Sequence, residues 1–327
     1  MRRFGAGESQ TYFCKLIRGH SKEVYHLEWF KDQQFIISGS HDFSIILWEV
    51  KKGRIFQRFD GPTNYVKAVG VDPTFKYLVA QSCDRTLRIF KRNKQKKPSY
   101  YIKYSVNKVN FPGQIDEANI PIEQKLFLHE SSIDSFFRRL DWSPEGSIFI
   151  APGGEYYHTT EYKKIYCAYV FSKHNLSLPC LVIPCTKPVI LIKFCPLEFV
   201  LSEDETSLFK IDSKLVYAIA SNDTVFIYTT CSVEPLYMVS GIHYASLSDL
   251  AWYGKDYLVI SSTDGYISFI KFKENDFGKV KQNSNQTPVT VDDTDKMIIE
   301  KKTEEKPSKQ KMYFRNGQKI IKPKRFG

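Results

Sequence analysis

No run of about 18 apolar residues occurs in this 327-residue chain, so it holds no stretch of the length a membrane-crossing helix requires. The opening residues, "MRRFGAGESQ", carry two arginines but no apolar core; they do not read as a secretory leader and only loosely resemble an organelle transit peptide. Cysteine is sparse and odd in number, at 14, 83, 167, 180, 185, 195 and 231. No two form a C-x-x-C pair, and no His/Cys cluster has zinc spacing. Most sit in apolar runs such as "LVIPC" and "LIKFC", which points to buried, reduced thiols and a reducing compartment. Catalytic signatures are missing too. No Gly-rich loop leads from a strand into a helix, no G-x-S-x-G occurs, and no His/Asp/Glu group has metal spacing. The "PGG" at 152–154 lies in a β context and reads as a turn rather than a phosphate cradle. The expectation is a protein without catalytic residues, metal or cofactor.

What the chain does have is aromatic residues, at 15%, which favour strands over helices. It also has positive charge, but unevenly. From Lys296 to the end there are eleven Lys/Arg against three Glu, so +8 of the formal net +11 lies in the tail. Such a tail is either a solvated, soluble extension or a site for an acidic partner, nucleic acid or protein.

Four segments share a Ser-x-Asp turn followed by a β-rich run: "SHDFSIILW" (40–48), "SCDRTLRIF" (82–90), "SNDTVFIY" (221–228) and "STDGYISFI" (262–270). Each is preceded by an apolar strand, and three of them by a further strand before that. Asp42 and Asp84 are 42 residues apart, and Asp223 and Asp264 are 41 apart. A repeat of that length built from four short strands is the signature of a WD40-type β-propeller. The reason is burial: one four-stranded unit cannot cover its own apolar faces, whereas neighbouring units cover each other's.

The first unit holds a full WD-type polar set: Gly19-His20, Ser38 or Ser40, Asp42 and Trp48. The aspartate accepts hydrogen bonds from turn amides and orients a histidine from the preceding loop, so His20 is read as structural. Asp84, Asp223 and Asp264 occupy the same turn, while Phe90, Tyr228 and Ile270 stand where Trp48 does. A degenerate fifth unit lies between, in "FFRRLDWSPEGSIFIAPGG" (136–154) and "KIYCAYVFSK" (164–173), flanked by insertions at 91–124 and 197–214. The units run roughly 19–60, 64–110, 134–185, 188–239 and 243–272. The last lacks an outer strand, and "TYFCKLI" (11–17) is the expected strand to complete it. The resulting map is a disordered N-terminus (1–10), an all-β WD40 propeller (11–275), a disordered linker (276–314) and a short basic motif (315–327).

Arg138 and Arg139 are adjacent on a predicted strand and so point to opposite faces. One is expected to be structural and the other a candidate partner contact, with Glu130 and Asp134 near enough to pair with them.

The segment "HESSIDSFFRRLDWSPEGSIFIAPGG" (129–154) resembles the signature of the WD-repeat middle subunit of chromatin assembly factor 1. "AYVFSKHNLSLPCLVIP" (168–184) and the run from Lys214 to Phe272 are similar to that family's later blades, and "GHSKEVYHLEW" and "SCDRTLRIF" to its earlier ones. The likeness spans about residues 12–275. The family's propeller has seven blades and the first match here is to its third, leaving open a truncated chain or a five-bladed ring.

The resemblance implies a non-catalytic subunit of a nuclear histone chaperone that deposits H3–H4 during replication and repair. Its implied partners are the large and the small WD-repeat subunits, histones H3–H4, directly or indirectly, and DNA indirectly. It also implies a tail motif that docks the anti-silencing-function histone chaperone. Lys319, Ile321 and Pro323 fall on that motif's basic, Ile and Pro positions, with Ile320 and Lys322 between them and Gln318 where a basic residue is common. Such a segment can add as a strand to an exposed sheet edge, proline ending the pairing because it lacks an N–H. "KPKR" (322–325) also suits nuclear import or nonspecific DNA binding. The rival functions are a subunit of the HIR-type, replication-independent chaperone and a WD40 adaptor of a ubiquitin ligase.

Overall fold

A computed structural model describes residues 16–93, 99–115, 121–158 and 163–281, and the backbone of 313–315 and 318–320. The fold is an all-β propeller with five blades; the one helical element among the described residues is a single 3-10 turn, Glu130–Ser132. The chain divides into two compact units, Met1–Ser105 and Val106–Gly327. The expected closing strand at 11–17 lies almost wholly outside the described residues.

The first unit holds two four-stranded antiparallel blades. Blade 1 comprises β1 (Val24–Trp29), β2 (Phe35–Ser40), β3 (Ile45–Glu49) and β4 (Arg54–Phe59). Blade 2 comprises β5 (Val66–Val71), β6 (Tyr77–Ser82), β7 (Leu87–Arg92) and β8 (Tyr100–Val106). Part of the expected insertion at 91–124 is therefore blade, since it supplies β8; two further strands from this region, β9 (Lys108–Ile115) and β10 (Pro121–Lys125), pair as a ribbon.

The second unit holds the other three blades. Blade 3 runs β11 (Asp141–Trp142), β12 (Ile148–His158), β13 (Lys163–Ser172) and β14 (Leu181–Cys185). Blade 4 runs β15 (Val189–Phe199), β16 (Lys214–Ser221), β17 (Thr224–Thr229) and β18 (Tyr237–Ser240). Blade 5 has three strands, β19 (Leu247–Tyr253), β20 (Tyr257–Ser262) and β21 (Ile267–Lys271). Two short strands from the tail, β22 (Tyr313–Arg315) and β23 (Gln318–Ile320), extend the blade 4 sheet in the order β15-β16-β17-β18-β23-β22.

Turn chemistry fixes the register. In blades 1, 2 and 5 the Ser-x-Asp-x loop closes with a hydrogen bond from the amide of its last residue to the serine carbonyl, 3.2–3.3 Å long at Phe43, Arg85 and Gly265. Those last residues sit at φ 68°, 67° and 84°. This is the three-residue hairpin loop in which a left-handed residue turns the chain. Glycine takes that conformation freely; Phe43 and Arg85 carry a strain on the order of 1–3 kcal/mol. A second device recurs at the start of four blades. The first strand is bulged at Val24/His26, Val66/Ala68, Val189/Leu191 and Leu247/Asp249. The extra residue brings Val24 and Leu27, and their counterparts, onto one face.

The cores lie between blades. Phe30, Ile37, Leu47 and Phe59 of blade 1 pack on Val66, Val69, Leu78 and Phe90 of blade 2. Blade 3 meets blade 4 through Ile148, Ile150, Ala168 and Val170 against Ile192, Phe194, Tyr217 and Ile219. Blade 4 meets blade 5 through Val216, Ala218, Val225 and Ile227 against Leu250, Leu258 and Ile260. Packing continues past residue 275, where a linker was expected to begin. Phe277 is buried beside Phe199 and Phe272, and Val280 bridges to Phe199.

Candidate functional site

The polar set of blade 1 is a directed chain of hydrogen bonds. Trp48 Nε1 donates to Ser38 Oγ at 2.7 Å, and Ser38 Oγ lies 2.7 Å from His20 Nε2. On the other side of the ring, His20 Nδ1 lies 3.0 Å from Asp42 Oδ2. Read in one direction, indole donates to hydroxyl, hydroxyl to imidazole and imidazole to carboxylate. The Asp42 carboxylate also accepts from the amides of Ser21 and Ser44, at 2.9 and 3.0 Å, and from Ser44 Oγ at 2.6 Å. Ser40 faces elsewhere, donating to the Glu23 carbonyl at 2.8 Å. Of the two serines, Ser38 therefore belongs to the chain and Ser40 ties the turn to the preceding loop. Burial lowers the His20 pKa despite the opposing pull of Asp42, keeping the ring neutral at pH 7. Burial pushes Asp42 up, yet its donors outweigh that and hold the carboxyl below the ordinary range. A buried imidazole with both nitrogens engaged is placed to hold a turn.

Asp84 and Asp264 keep the turn but take different partners, whereas Asp223 lies in a shorter hairpin, with Ala220 paired to Val225, and not in the same turn as expected. Asp84 is held by Arg88, whose Nη2 lies 2.8 Å away and also donates to the Gly61 carbonyl at 3.0 Å. Asp223 meets Lys187 at 2.5 Å in an exposed pair. Asp264 meets His243 at 3.1 Å. Sequence reasoning did not single out Arg88, Lys187 or His243, although "SGIHY" places His243 close to where "GH" stands in blade 1. Counting back from the turn serine, Ile260 and Ile270 of blade 5 occupy the places of Ser38 and Trp48. His243 Nε2 is accordingly buried without a hydrogen-bond partner among the described residues. Burial raises the Asp264 pKa, but the amides of Tyr266 and Tyr244 and the His243 ring more than offset this and bring it to about 2.

Arg138, one of the two candidate partner contacts, is 2% exposed and paired with Glu130 at 2.8 Å, beneath Gly153. Arg139 is half-buried. Its backbone exchanges hydrogen bonds with Ile190 and Ile192, at 2.9 and 3.0 Å, and its guanidinium lies 3.8 Å from Asp249. Burial corrects the partner reading for Arg138, because Ile133–Arg139 is a staple that lies along the first strand of blade 4. The Asp134 carbonyl accepts from Asn222 at 3.0 Å, and neighbouring Phe136 is exposed.

In the tail, the backbone of Lys319 and Ile320 lies in β23, between β22 and the parallel strand β18, with Ile320 opposite Met238. Ile321, Lys322 and Pro323 lie outside the described residues. Among the described residues no group of three or more His, Cys, Asp or Glu is placed to hold a metal ion, and no helix is long and apolar enough to cross a membrane.

Comparison with known proteins matches residues 6–277 to the model of the CAF1B/HIR1 beta-propeller domain. The chain is 34% identical over 273 residues to the chromatin assembly factor 1 subunit FAS2 homolog of Oryza sativa, with 81% of this chain and 53% of that protein covered. It is 35% identical over 284 residues to the B-type subunit of mouse chromatin assembly factor 1, with 81% and 46% covered. Against Protein HIR1 of Kluyveromyces lactis it is 25% identical over 272 residues, with 80% and 29% covered. The chain thus spans about half the length of the chromatin assembly factor relatives.

Proposed function

Because the chain belongs to the CAF1B/HIR1 β-propeller family, we propose that it is a non-catalytic component of a nuclear chromatin-assembly complex, the B-type subunit of chromatin assembly factor 1. The observation that carries this reading is the 34–35% identity to two chromatin assembly factor 1 subunits, against 25% to a HIR1 protein. The polar sets support it: the buried imidazoles and carboxylates hold turns, which suits a scaffold. In this reading the complex deposits histones H3–H4 on newly replicated DNA. The propeller holds the large subunit, the same assembly includes the small WD-repeat subunit, and histones arrive from the anti-silencing-function chaperone.

The tail carries that hand-over. Residues 319–323 would dock as an added strand, with Ile321 in an apolar slot, Pro323 ending the pairing, and Lys319 and Lys322 meeting acidic rim groups. A strand has two hydrogen-bonding edges, and here both edges of β23 are occupied, by β18 and by β22. Docking in this manner requires that strand to leave the edge of blade 4.

Affinity purification of the tagged full chain tests the assignment. Recovery of the chromatin assembly factor large subunit with H3–H4 is expected; recovery of HIR-complex subunits instead would sink it. For the tail, Ile321→Ala with Pro323→Ala is expected to abolish capture of the anti-silencing chaperone while the propeller stays folded. Undiminished capture would remove the tail from the mechanism.

A further inference from the structure

Four cations gather at one end of blade 2. Lys76 stands at the entry to β6, Lys91 and Arg92 end β7, and Lys103 lies on β8, the outermost strand of that blade. They meet around one ring. Lys76 Nζ and Lys103 Nζ lie 5.5 and 5.9 Å from the centre of the Tyr77 ring, and Lys91 is the strand partner of Tyr77. The Arg92 amide donates to the Lys76 carbonyl at 2.9 Å, and Lys103 Nζ also lies 4.8 Å from the centre of the Tyr104 ring. Tyr77 is 4% exposed and forms the floor of the cluster, whereas Lys76, Arg92 and Tyr101 are exposed.

None of the four makes an ion pair with a carboxylate among the described residues. The carboxylates that act on neighbouring Tyr100, Asp72 and Asp32, serve turns of their own. Asp72 is buried and accepts from the Thr74 amide and hydroxyl, at 3.0 and 2.6 Å, and Asp32 accepts from the Gln34 amide at 3.0 Å. Like charges brought together without a counter-charge repel one another, and a bound anion relieves that repulsion. Lysine on an edge strand also blunts strand-to-strand aggregation, but Lys76, Lys91 and Arg92 stand away from the edge strand, so edge protection does not account for them. The platform is fixed. Tyr100 of β8 exchanges backbone hydrogen bonds with the Gln57 side chain, at 2.7 and 2.9 Å, and its hydroxyl donates to the Phe75 carbonyl at 2.7 Å.

We propose that Lys76, Lys91, Arg92 and Lys103 form a site for the phosphate backbone of duplex DNA, so that the propeller touches DNA directly. The cations are spread across three neighbouring strands, about 4.8 Å apart from one to the next, rather than converged on one point. A spread of that kind suits a line of phosphates better than a single carboxylate. Tyr101 and Tyr104 add phenol groups, which contact phosphate oxygens as lysine and arginine do. Contacts of this sort position a protein on DNA without reading its sequence. The choice of duplex DNA rests on the chromatin-assembly reading above, whereas the anion site rests on the cluster itself.

The test titrates the purified full chain into a labelled duplex of mixed sequence, read by fluorescence anisotropy over a range of salt. It needs no other subunit, so its outcome is independent of which complex the chain joins. Lys76→Gln, Lys91→Gln, Arg92→Gln and Lys103→Gln together should lower the slope of log affinity on log salt by about 3 to 4 and weaken binding about tenfold or more, alike for unrelated sequences. The same loss of charge at exposed Lys51, Lys210, Lys273 and Lys279 should lower that slope by less than about 1. The basic tail is present in every variant, so its own contribution cancels. Lys76→Arg, Lys91→Arg and Lys103→Arg, which keep the charge, should bind as the unmodified chain does. Should the fourfold variant fail to fold by circular dichroism, Lys76→Gln with Arg92→Gln, both exposed, repeats the measurement, and the slope should fall by about 2. The proposal is overturned if the unmodified chain does not bind the duplex, if the patch variant binds it undiminished, or if the patch and the scattered lysines lose equally, which would make binding a matter of net charge. It is overturned too if the patch variant loses affinity for a poly-glutamate peptide and keeps it for the duplex, which would assign the site to an acidic protein segment.

Discussion

His243 Nδ1 lies 3.1 Å from the Asp264 carboxylate, and its other ring nitrogen is buried with no hydrogen-bond partner among the described residues. In blade 1 the same nitrogen of His20 is satisfied by Ser38, which Trp48 supports in turn. Blade 5 keeps the carboxylate end of the chain and has lost the indole end, because isoleucines stand at 260 and 270.

That loss makes the set rebuildable. Ile260→Ser alone removes a core side chain and should cost about 2–4 kcal/mol. Adding Ile270→Trp supplies the missing donor. The double variant should be more stable than the sum of the singles by about 1 kcal/mol or more, read as a coupling energy in a double-mutant cycle by urea denaturation. Simple additivity would show that His243 Nε2 gains nothing from the serine.

The four turn aspartates should rank by burial and donor count rather than by motif. Asp42→Ala strands the amides of Ser21 and Ser44, the Ser44 hydroxyl and the His20 ring, and is expected to cost about 2–4 kcal/mol. Asp223→Ala removes an exposed pair with Lys187 and should cost under about 1 kcal/mol. Equal losses in denaturant midpoint would contradict the ranking.

Acid should destabilise the fold in two windows. The folded His20 pKa is lowered from 6.5, so its contribution is complete above that value and falls away as pH drops through the lower folded value. The folded Asp264 pKa is lowered from 3.8 to about 2, so its contribution is present above 3.8 and lost as pH falls towards 2; that of Asp42 is lost in the same direction. Unfolding free energies measured from pH 8 to pH 2 should show both declines. Asp264→Asn should flatten the lower one and leave the decline below pH 6.5 in place.

Cysteines introduced at Met238 and Ile320 should form a disulfide under mild oxidation, because paired strands lie about 4.8 Å apart and a disulfide spans that separation. Peptide mapping by mass spectrometry separates the 238–320 link from native thiols. In the oxidised form the tail cannot leave β18, so capture of the anti-silencing chaperone should fall at least tenfold and return on reduction. Absence of the link would place the tail strand elsewhere, whatever its partner.

Much of this architecture is local in origin and was legible in the chain. A Ser-x-Asp turn is specified by four or five consecutive residues through their own amides and side chains, so its repeats mark the blades, and alternation marks their strands. His20, Asp42 and Trp48 were legible together because all their partners fall within one unit. The partners of the other aspartates were not. Arg88 lies four residues after Asp84 on a strand, while Lys187 comes 36 residues before Asp223. A turn aspartate accepts any donor that the fold delivers, so the motif could not name which.

Exposure was decided by tertiary structure alone. The "FFRR" run sets four bulky residues side by side, yet Phe136 is exposed and Arg138 buried, because the segment is stapled along blade 4 and Glu130 closes over the second of them. Ile267 and Phe269 have the same apolar character as Val225 and Ile227 and the same place in the repeat, yet the first two are exposed and the other two buried. Burial belongs to a pair of surfaces. A chain specifies its own half of each contact, and whether the other half is present depends on which blade follows.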